Sequence, residues 1–165
     1  MLRIVQLAYF MAPAYLANLA PPFAKYWARW NRPISERWLG THKTAVGFGL
    51  GVVAALLATL LQSRLAWRGG ILSYDEWPSL GLRFGIGAMG GDSIKSFFKR
   101  RLGIPPGRAW IPADQLDYSL GALALVWSRV ALSGADVACI LALGFLGHFV
   151  VSGIGYRLGV RDVKL

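Results

Sequence analysis

Apolar runs of roughly twenty residues recur five times along this chain, at about 2–19, 45–61, 77–98, 113–132 and 136–156. An α-helix of that length matches the hydrocarbon thickness of a bilayer. Hydrophobic residues make up 55% of the 165 positions, and mean hydropathy is +0.46. A soluble chain of this size could not hide so much apolar surface. The expected fold is therefore an all-α integral membrane protein: a single multi-pass domain over 1–165 with about five transmembrane helices. The N-terminal run is longer than a signal-peptide core and is followed by no small-residue cleavage site before the first charged stretch.

The formal net charge is +10. The cations do not form one helical stripe, which argues against a nucleic-acid partner. They gather in the connections at about 24–44 and 99–112 and in the tail, where Arg157, Arg161 and Lys164 lie. Cytoplasmic loops of membrane proteins carry this excess. The expected orientation is N-terminus outside and C-terminus cytoplasmic, with the cytoplasmic loops forming the functional site. Cys139 is the only cysteine. It lies in an apolar run and reads as a packing residue, as does His148. Lys25, Arg29 and Arg32 fall at helical spacing among Trp27, Trp30 and Trp38, which predicts a short amphipathic helix at the membrane surface.

Polar residues within the apolar runs need a reason, because an ionised group near mid-bilayer costs about 3 kcal/mol on insertion scales. Asp92 follows Gly85, Gly87, Gly90 and Gly91, whose lack of side chains lets helices, or a headgroup, come close. Lys95, Ser96, Lys99 and Arg100 continue the same segment. Asp114 and Asp117 open the next one, a helical turn apart, so their carboxylates share a face. Asn18 closes the first run just before Pro21 and Pro22. His42, Lys43 and Thr44 precede the second, where a helix start favours phosphate. All of these fall on the side assigned to the cytoplasm. Three carboxylates, Asp92, Asp114 and Asp117, make a hard-oxygen set suited to Mg²⁺, an ion that usually binds phosphate as well. Lysines and an arginine beside them could offset the charge of a polyphosphate. Phosphoryl and nucleotidyl transfer need mainly positioning and charge neutralisation.

Ser96-Phe97-Phe98-Lys99-Arg100, followed by the Asp114-x-x-Asp117 pair, resembles the signature of the CTP-dependent phosphatidate cytidylyltransferases. The fuller set is similar to their archaeal branch, the CDP-archaeol synthases: Ala17-Asn18-x-x-Pro21, Lys43-Thr44-x-x-Gly47, Asp92 to Arg101, and Asp114 to Asp117. The chain has Pro105-Pro106 where the bacterial and eukaryotic enzymes carry Lys-Asp. It has Trp110-Ile111-Pro112-Ala113 in place of His-Gly-Gly, and Gln115 between the aspartates in place of Arg. These departures favour an ether-lipid acceptor over a diacyl one.

The resemblance implies an Mg²⁺-dependent enzyme of the cell membrane. It would join CTP to an isoprenoid ether-lipid phosphate, with its active site on the cytoplasmic side. Implied catalytic residues are Asp92, Lys95, Lys99 and Arg100. Implied nucleotide or phosphate binders are Asn18, His42, Lys43, Thr44 and Ser96. Implied metal ligands are Asp92, Asp114 and Asp117. Two other readings stay open on the sequence: a phosphatidic-acid enzyme, and a non-catalytic multi-pass protein. A homo-oligomer is compatible with either.

Overall fold

The structure is a computed structural model that describes residues 2–27, 31–105, 108 and 110–157, with no account of the side chains of 27 and 148–157. Arg29, Trp30, Pro106, Gly107, Arg161 and Lys164 therefore lie outside the described residues, as does the side chain of His148. Among the described residues the regular structure is helical. In chain order the helices are α1 (Leu2–Leu19), α2 (Glu36–Leu39), α3 (Ala45–Leu65), α4 (Trp77–Arg101), α5 (Ala113–Val126) and α6 (Gly134–Arg157). Pro21–Trp27 and Trp127–Arg129 form 3₁₀ turns. Helix α1 stops before Pro21 because proline lacks the N–H that would continue the ladder.

The surface helix expected over Lys25 to Arg32 takes a different form. Lys25 sits in the 3₁₀ turn, whereas Arg32 lies on extended backbone. The Arg32 carbonyl accepts from Ala45 N–H at 3.3 Å, and Ile34 N–H donates to the Lys43 carbonyl at 2.8 Å. Pro33 bridges to Thr44 in this miniature antiparallel pair. The two cations thus share no helical face: prolines at positions 21, 22 and 33 break the segment that carries them.

Helix α4 is central, packing against α5, α3, α1 and α2. Two glycine pairs explain its closeness to two neighbours. Gly81 and Gly85 face α3, where a Cβ on Gly85 would meet the Val52 Cα at 2.8 Å. Gly87 and Gly91 face α5, where a Cβ on Gly87 would meet the Gly121 carbonyl at 2.6 Å, and one on Gly91 would run into the Asp117 carbonyl. Each pair has the small-xxx-small spacing that lets two helix backbones touch. Close approach of α4 and α5 is what carries Asp92 and Lys95 to Asp114 and Asp117.

The core is small-residue and aromatic: Ala14, Ala17, Ala55, Ala88 and Ala122 are buried with Phe10, Phe84 and Leu80. The Phe10 and Phe84 rings meet edge to face at 5.4 Å. Cys139 is half-buried and packs against this core. Many other large aliphatic side chains point the other way. Along α3, Val53, Leu57, Leu61 and Leu65 are exposed while Gly51, Ala55, Thr59 and Gln62 are buried. Ile4, Leu16, Leu82, Ile86 and Leu120 extend the outward apolar belt. Among the described residues only Ala45–Leu65 is long and apolar enough by itself to cross a membrane, and the apolar stretch Gly134–Gly147 is shorter. Helix α4 is long enough but carries Arg83, Asp92, Lys95, Lys99, Arg100 and Arg101, the last four in its final two turns.

The helices alternate in direction, so the molecule has two polar ends. One gathers the start of α3, the end of α4 and the start of α5. The other is held by Arg3 donating to both Asp136 oxygens at 2.8 and 2.7 Å, and by Gln6 donating to the Gly69 carbonyl at 2.7 Å. Pro13 in α1 offers no N–H to the Tyr9 carbonyl one turn back. The buried Gln62 amide of α3 supplies the missing donor at 2.5 Å. Trp67 and Tyr74 close edge to face on the Tyr9 ring at 5.0 and 5.8 Å. Burial raises the Tyr74 phenol above its ordinary range.

Candidate active site

Two helices and the loop before α3 contribute charge to one cluster. Lys43 immediately precedes α3. It is positioned by the Arg32–Ala45 and Ile34–Lys43 backbone bonds and by Thr44, whose hydroxyl caps α3 by accepting from Gly47 N–H at 3.1 Å. The same loop is pinned to α4 by Trp38, which stacks on Phe97 at 5.7 Å with the Arg101 guanidinium 5.1 Å from its ring. Asp92, Lys95 and Lys99 lie on α4 at helical spacing, hence on one face. Asp114 and Asp117 lie in the first turns of α5.

Their contacts form a chain of alternating charge. Lys43 pairs with Asp92 Oδ2. Lys95 Nζ lies 3.1 Å from Asp92 Oδ1, 2.7 Å from Asp114 Oδ1 and 2.9 Å from Asp117 Oδ2. Lys99 Nζ donates to both Asp114 oxygens at 3.1 and 3.0 Å and to the Arg108 carbonyl at 2.5 Å. Three carboxylates thus face three ammonium groups, and the cluster is formally neutral. That balance lets it sit half-buried, since a buried ion without a counter-charge is strongly penalised. Backbone donors hold two of the carboxylates: Trp110 N–H reaches Asp114 Oδ2 at 2.6 Å, and Tyr118 N–H reaches Asp117 Oδ1 at 2.6 Å.

Beside the cluster, between the start of α3 and α4, opens a small cleft lined by Ile34, His42, Lys43, Thr44, Asp92 and Ser93, among others. The structure therefore brings together Asp92, Lys95, Lys99, Asp114 and Asp117 in one cluster, with Lys43 linking it to the cleft and His42 exposed at the cleft wall. Asn18 is half-buried in the last turn of α1 and does not line the cleft. The Ser96 hydroxyl is turned inward and donates to the Asp92 carbonyl at 2.8 Å, a bond within the helix. Arg100 is half-buried, and its Nε has no hydrogen-bond partner among the described residues.

Sequence reasoning missed Ser93 on the cleft wall and the two backbone groups, Trp110 N–H and the Arg108 carbonyl, that fix Asp114 and Lys99. Backbone donors leave no mark in a sequence pattern.

For a hard divalent cation, the donor set is all oxygen and converges from two helices, which is the chemistry such an ion takes. As held here, the three carboxylates surround an ammonium group, and among the described residues none of the carboxylate groupings is closed up for direct metal ligation. The donor chemistry suits such an ion, and the position between the carboxylates is taken by the Lys95 ammonium.

Comparison with known proteins bears on what this arrangement serves. A family model described as CarS-like, CDP-archaeol synthase, matches residues 29–165. The curated CDP-archaeol synthase of Methanococcoides burtonii is 34% identical, with 92% of this chain and 98% of that protein covered. That of Methanosphaerula palustris is 35% identical, with 93% and 99% covered. That of Sulfurisphaera tokodaii is 35% identical, with 92% and 90% covered. A solved structure of an intramembrane enzyme for archaeal membrane lipid biosynthesis matches with a TM-score of 0.68 at 29% identity, covering 89% of this chain and 92% of that one. Taken with the Asp92-to-Asp117 cluster, these matches show that the chain belongs to the CarS-like family, the CDP-archaeol synthases.

Proposed function

We propose that this protein is a CTP-dependent cytidylyltransferase. It joins CTP to the phosphate of 2,3-bis-O-geranylgeranyl-glycerol and releases CDP-archaeol and pyrophosphate. The observation that carries this reading is the convergence of Asp92, Asp114 and Asp117 with Lys43, Lys95 and Lys99 beside an open cleft, in a chain of this family.

In the proposed reaction an oxygen of the lipid phosphate attacks the α-phosphorus of CTP in line. The bond to the β-phosphate breaks, and pyrophosphate leaves with its electron pair. No covalent enzyme intermediate is needed. Lys43, at the cleft wall with His42 and Thr44, meets the triphosphate. Lys99 and Arg100, at the end of α4, serve the lipid phosphate or the departing pyrophosphate. Asp92, Asp114 and Asp117 are the residues that would hold Mg²⁺, which when bound offsets charge on the triphosphate. Asn18, at the end of α1, is assigned to nucleotide or phosphate binding, and Ser96 steadies the Asp92 turn through its carbonyl bond. A positioned cation acts on the charge that develops in the transition state and needs no reorganisation at that moment.

Helices α1, α3, α4 and α6 and the shorter α5 are read as membrane spans, with the N-terminus outside and the cluster at the cytoplasmic face. Exposed leucine, isoleucine and valine around buried alanine, glycine and glutamine favour that reading, because lipid-facing helices put small and polar residues at their contacts. Basic loops beside the cluster favour the orientation. In a Cys139→Ala background, a Lys43→Cys protein in intact cells is expected to resist an impermeant thiol reagent while Ser133→Cys reacts. Reaction at position 43 would reverse the topology.

The activity is tested by incubating purified protein with CTP labelled at the α-phosphorus, Mg²⁺ and either the geranylgeranyl-ether phosphate or phosphatidic acid. Label is expected in the ether lipid, with one pyrophosphate per turnover. Preferential labelling of phosphatidic acid would assign the diacyl reaction instead, and no labelled lipid from either acceptor would remove the proposal.

A further inference from the structure

Within the cluster the three lysines are not equivalent. Lys43 pairs with one carboxylate and Lys99 with one, whereas Lys95 lies within 3.1 Å of all three. Its side chain is 13% exposed. Asp117 Oδ2, 2.9 Å away, is buried and among the described residues meets no group besides that ammonium. The oxygens and the ammonium also differ in what fixes them. Asp114 and Asp117 are held by backbone N–H groups, and Lys99 is anchored to the Arg108 carbonyl. Among the described residues Lys95 meets only the three carboxylates, from the end of a flexible four-carbon stem. Two of the three carboxylates are thus fixed by backbone groups, and the Lys95 ammonium is fixed by the carboxylates alone.

We propose that Lys95 is a built-in placeholder for a divalent cation. In the metal-free protein it holds three mutually repelling carboxylates together. When the cation arrives it vacates that position and turns its ammonium toward the triphosphate of the nucleotide. This rests on the metal and nucleotide reading given above and adds a consequence to it. The ammonium and the cation cannot share one set of oxygens, since like charges that close repel strongly. Without nucleotide the displaced ammonium finds no anion, so the metal alone binds weakly. With nucleotide it finds phosphate oxygens. Metal and CTP therefore strengthen each other's binding through Lys95, a coupling that must be reciprocal.

The test uses the full chain in detergent and Mn²⁺ as the probe, with free Mn²⁺ counted by electron paramagnetic resonance. Without nucleotide, Lys95→Met is expected to bind Mn²⁺ at least about tenfold more tightly than wild type, and Lys99→Met much less so, although both lose one positive charge. Adding CTP without acceptor is expected to tighten Mn²⁺ binding more in wild type than in Lys95→Met. Equal tightening in the two methionine variants would reduce the effect to bulk charge and overturn the proposal, as would unchanged affinity in Lys95→Met.

A second measurement needs no variant. Brief acetylation of wild-type protein, read by mass spectrometry, is expected to modify Lys95 several-fold more with saturating Mn²⁺ than without. Unchanged modification at saturation would overturn the proposal even if Lys95→Met failed to fold. Wild type that binds no Mn²⁺ even with CTP would remove the metal reading itself, whereas binding indifferent to Lys95 removes only the placeholder.

Discussion

The two polar ends of this helical bundle solve the same problem by different means. At the end with Gln62 and Tyr9, the contacts that form are fixed neutral or paired ones: an amide on a carbonyl orphaned by Pro13, a guanidinium on a carboxylate, and rings closing edge to face. At the other end, six charges balance one another through ion pairs that a ligand could exchange. A neutral hydrogen bond inside the protein mainly stabilises the fold. The desolvation cost of a buried ion cluster can exceed its Coulombic gain, and under the proposed function its charges are the ones passed to a substrate. The difference teaches that polarity buried between helices has to be sorted by exchangeability before function is read from it.

This contrast can be broken most severely at the glycine seam, which serves both roles. Gly91→Leu would drive a side chain into the Asp117 carbonyl and the Gly121 backbone, where overpacking costs about 1–3 kcal/mol or more. Its expected outcome is near-complete loss of turnover with a lowered melting temperature. Unchanged values of both would mean that α4 and α5 do not touch there.

At the charged end, Asp114→Asn is expected to lower turnover about a hundredfold, the scale of removing one preorganised electrostatic group, with the protein still folded. Near-normal turnover at low Mg²⁺ would remove Asp114 from the ligands. Lys99→Gln and Arg100→Ala are expected to be milder, at least about tenfold each, a barrier change of about 1.4 kcal/mol. If both stayed within about twofold of wild type, these residues would be helix-capping cations only.

At the opposite end, Gln62→Leu leaves the Tyr9 carbonyl without a donor. Thermal unfolding is expected to show a loss of about 1–3 kcal/mol, the desolvation penalty of one unpaired buried group. Turnover per folded molecule is expected to stay within about twofold, since no charge moves there.

The same contrast marks what could be read from the sequence. Asp92, Asp114, Asp117 and the α4 lysines stood out because ionisable groups in apolar runs are costly and therefore rare. The i, i+3 spacing of Asp114 and Asp117 fixed their common face. Long apolar segments carried the helical class. Which lysine meets which carboxylate was not legible, and here each carboxylate is engaged by at least one lysine. Buried charges without a ligand must find counter-charges among themselves, and which pairs form depends on how closely α4 and α5 pack. Gln62 was also missed. Its meaning depends on Pro13, an interior proline 49 residues earlier that frees the carbonyl Gln62 then satisfies. The short elements of the 24–44 loop were misread because helical spacing of cations was weighed above the prolines that flank them.

The most direct measurement of the central claim, that charge at one end does chemistry while the other end holds the fold, is a paired one. Turnover of α-labelled CTP into lipid and the thermal melting curve are recorded on single preparations of wild type, Asp117→Asn and Gln62→Leu. The account predicts that Asp117→Asn loses turnover by about a hundredfold or more with a melting temperature near that of wild type, while Gln62→Leu melts earlier and turns over normally below its transition. Near-normal turnover in Asp117→Asn, or loss of turnover in a well-folded Gln62→Leu, would contradict it.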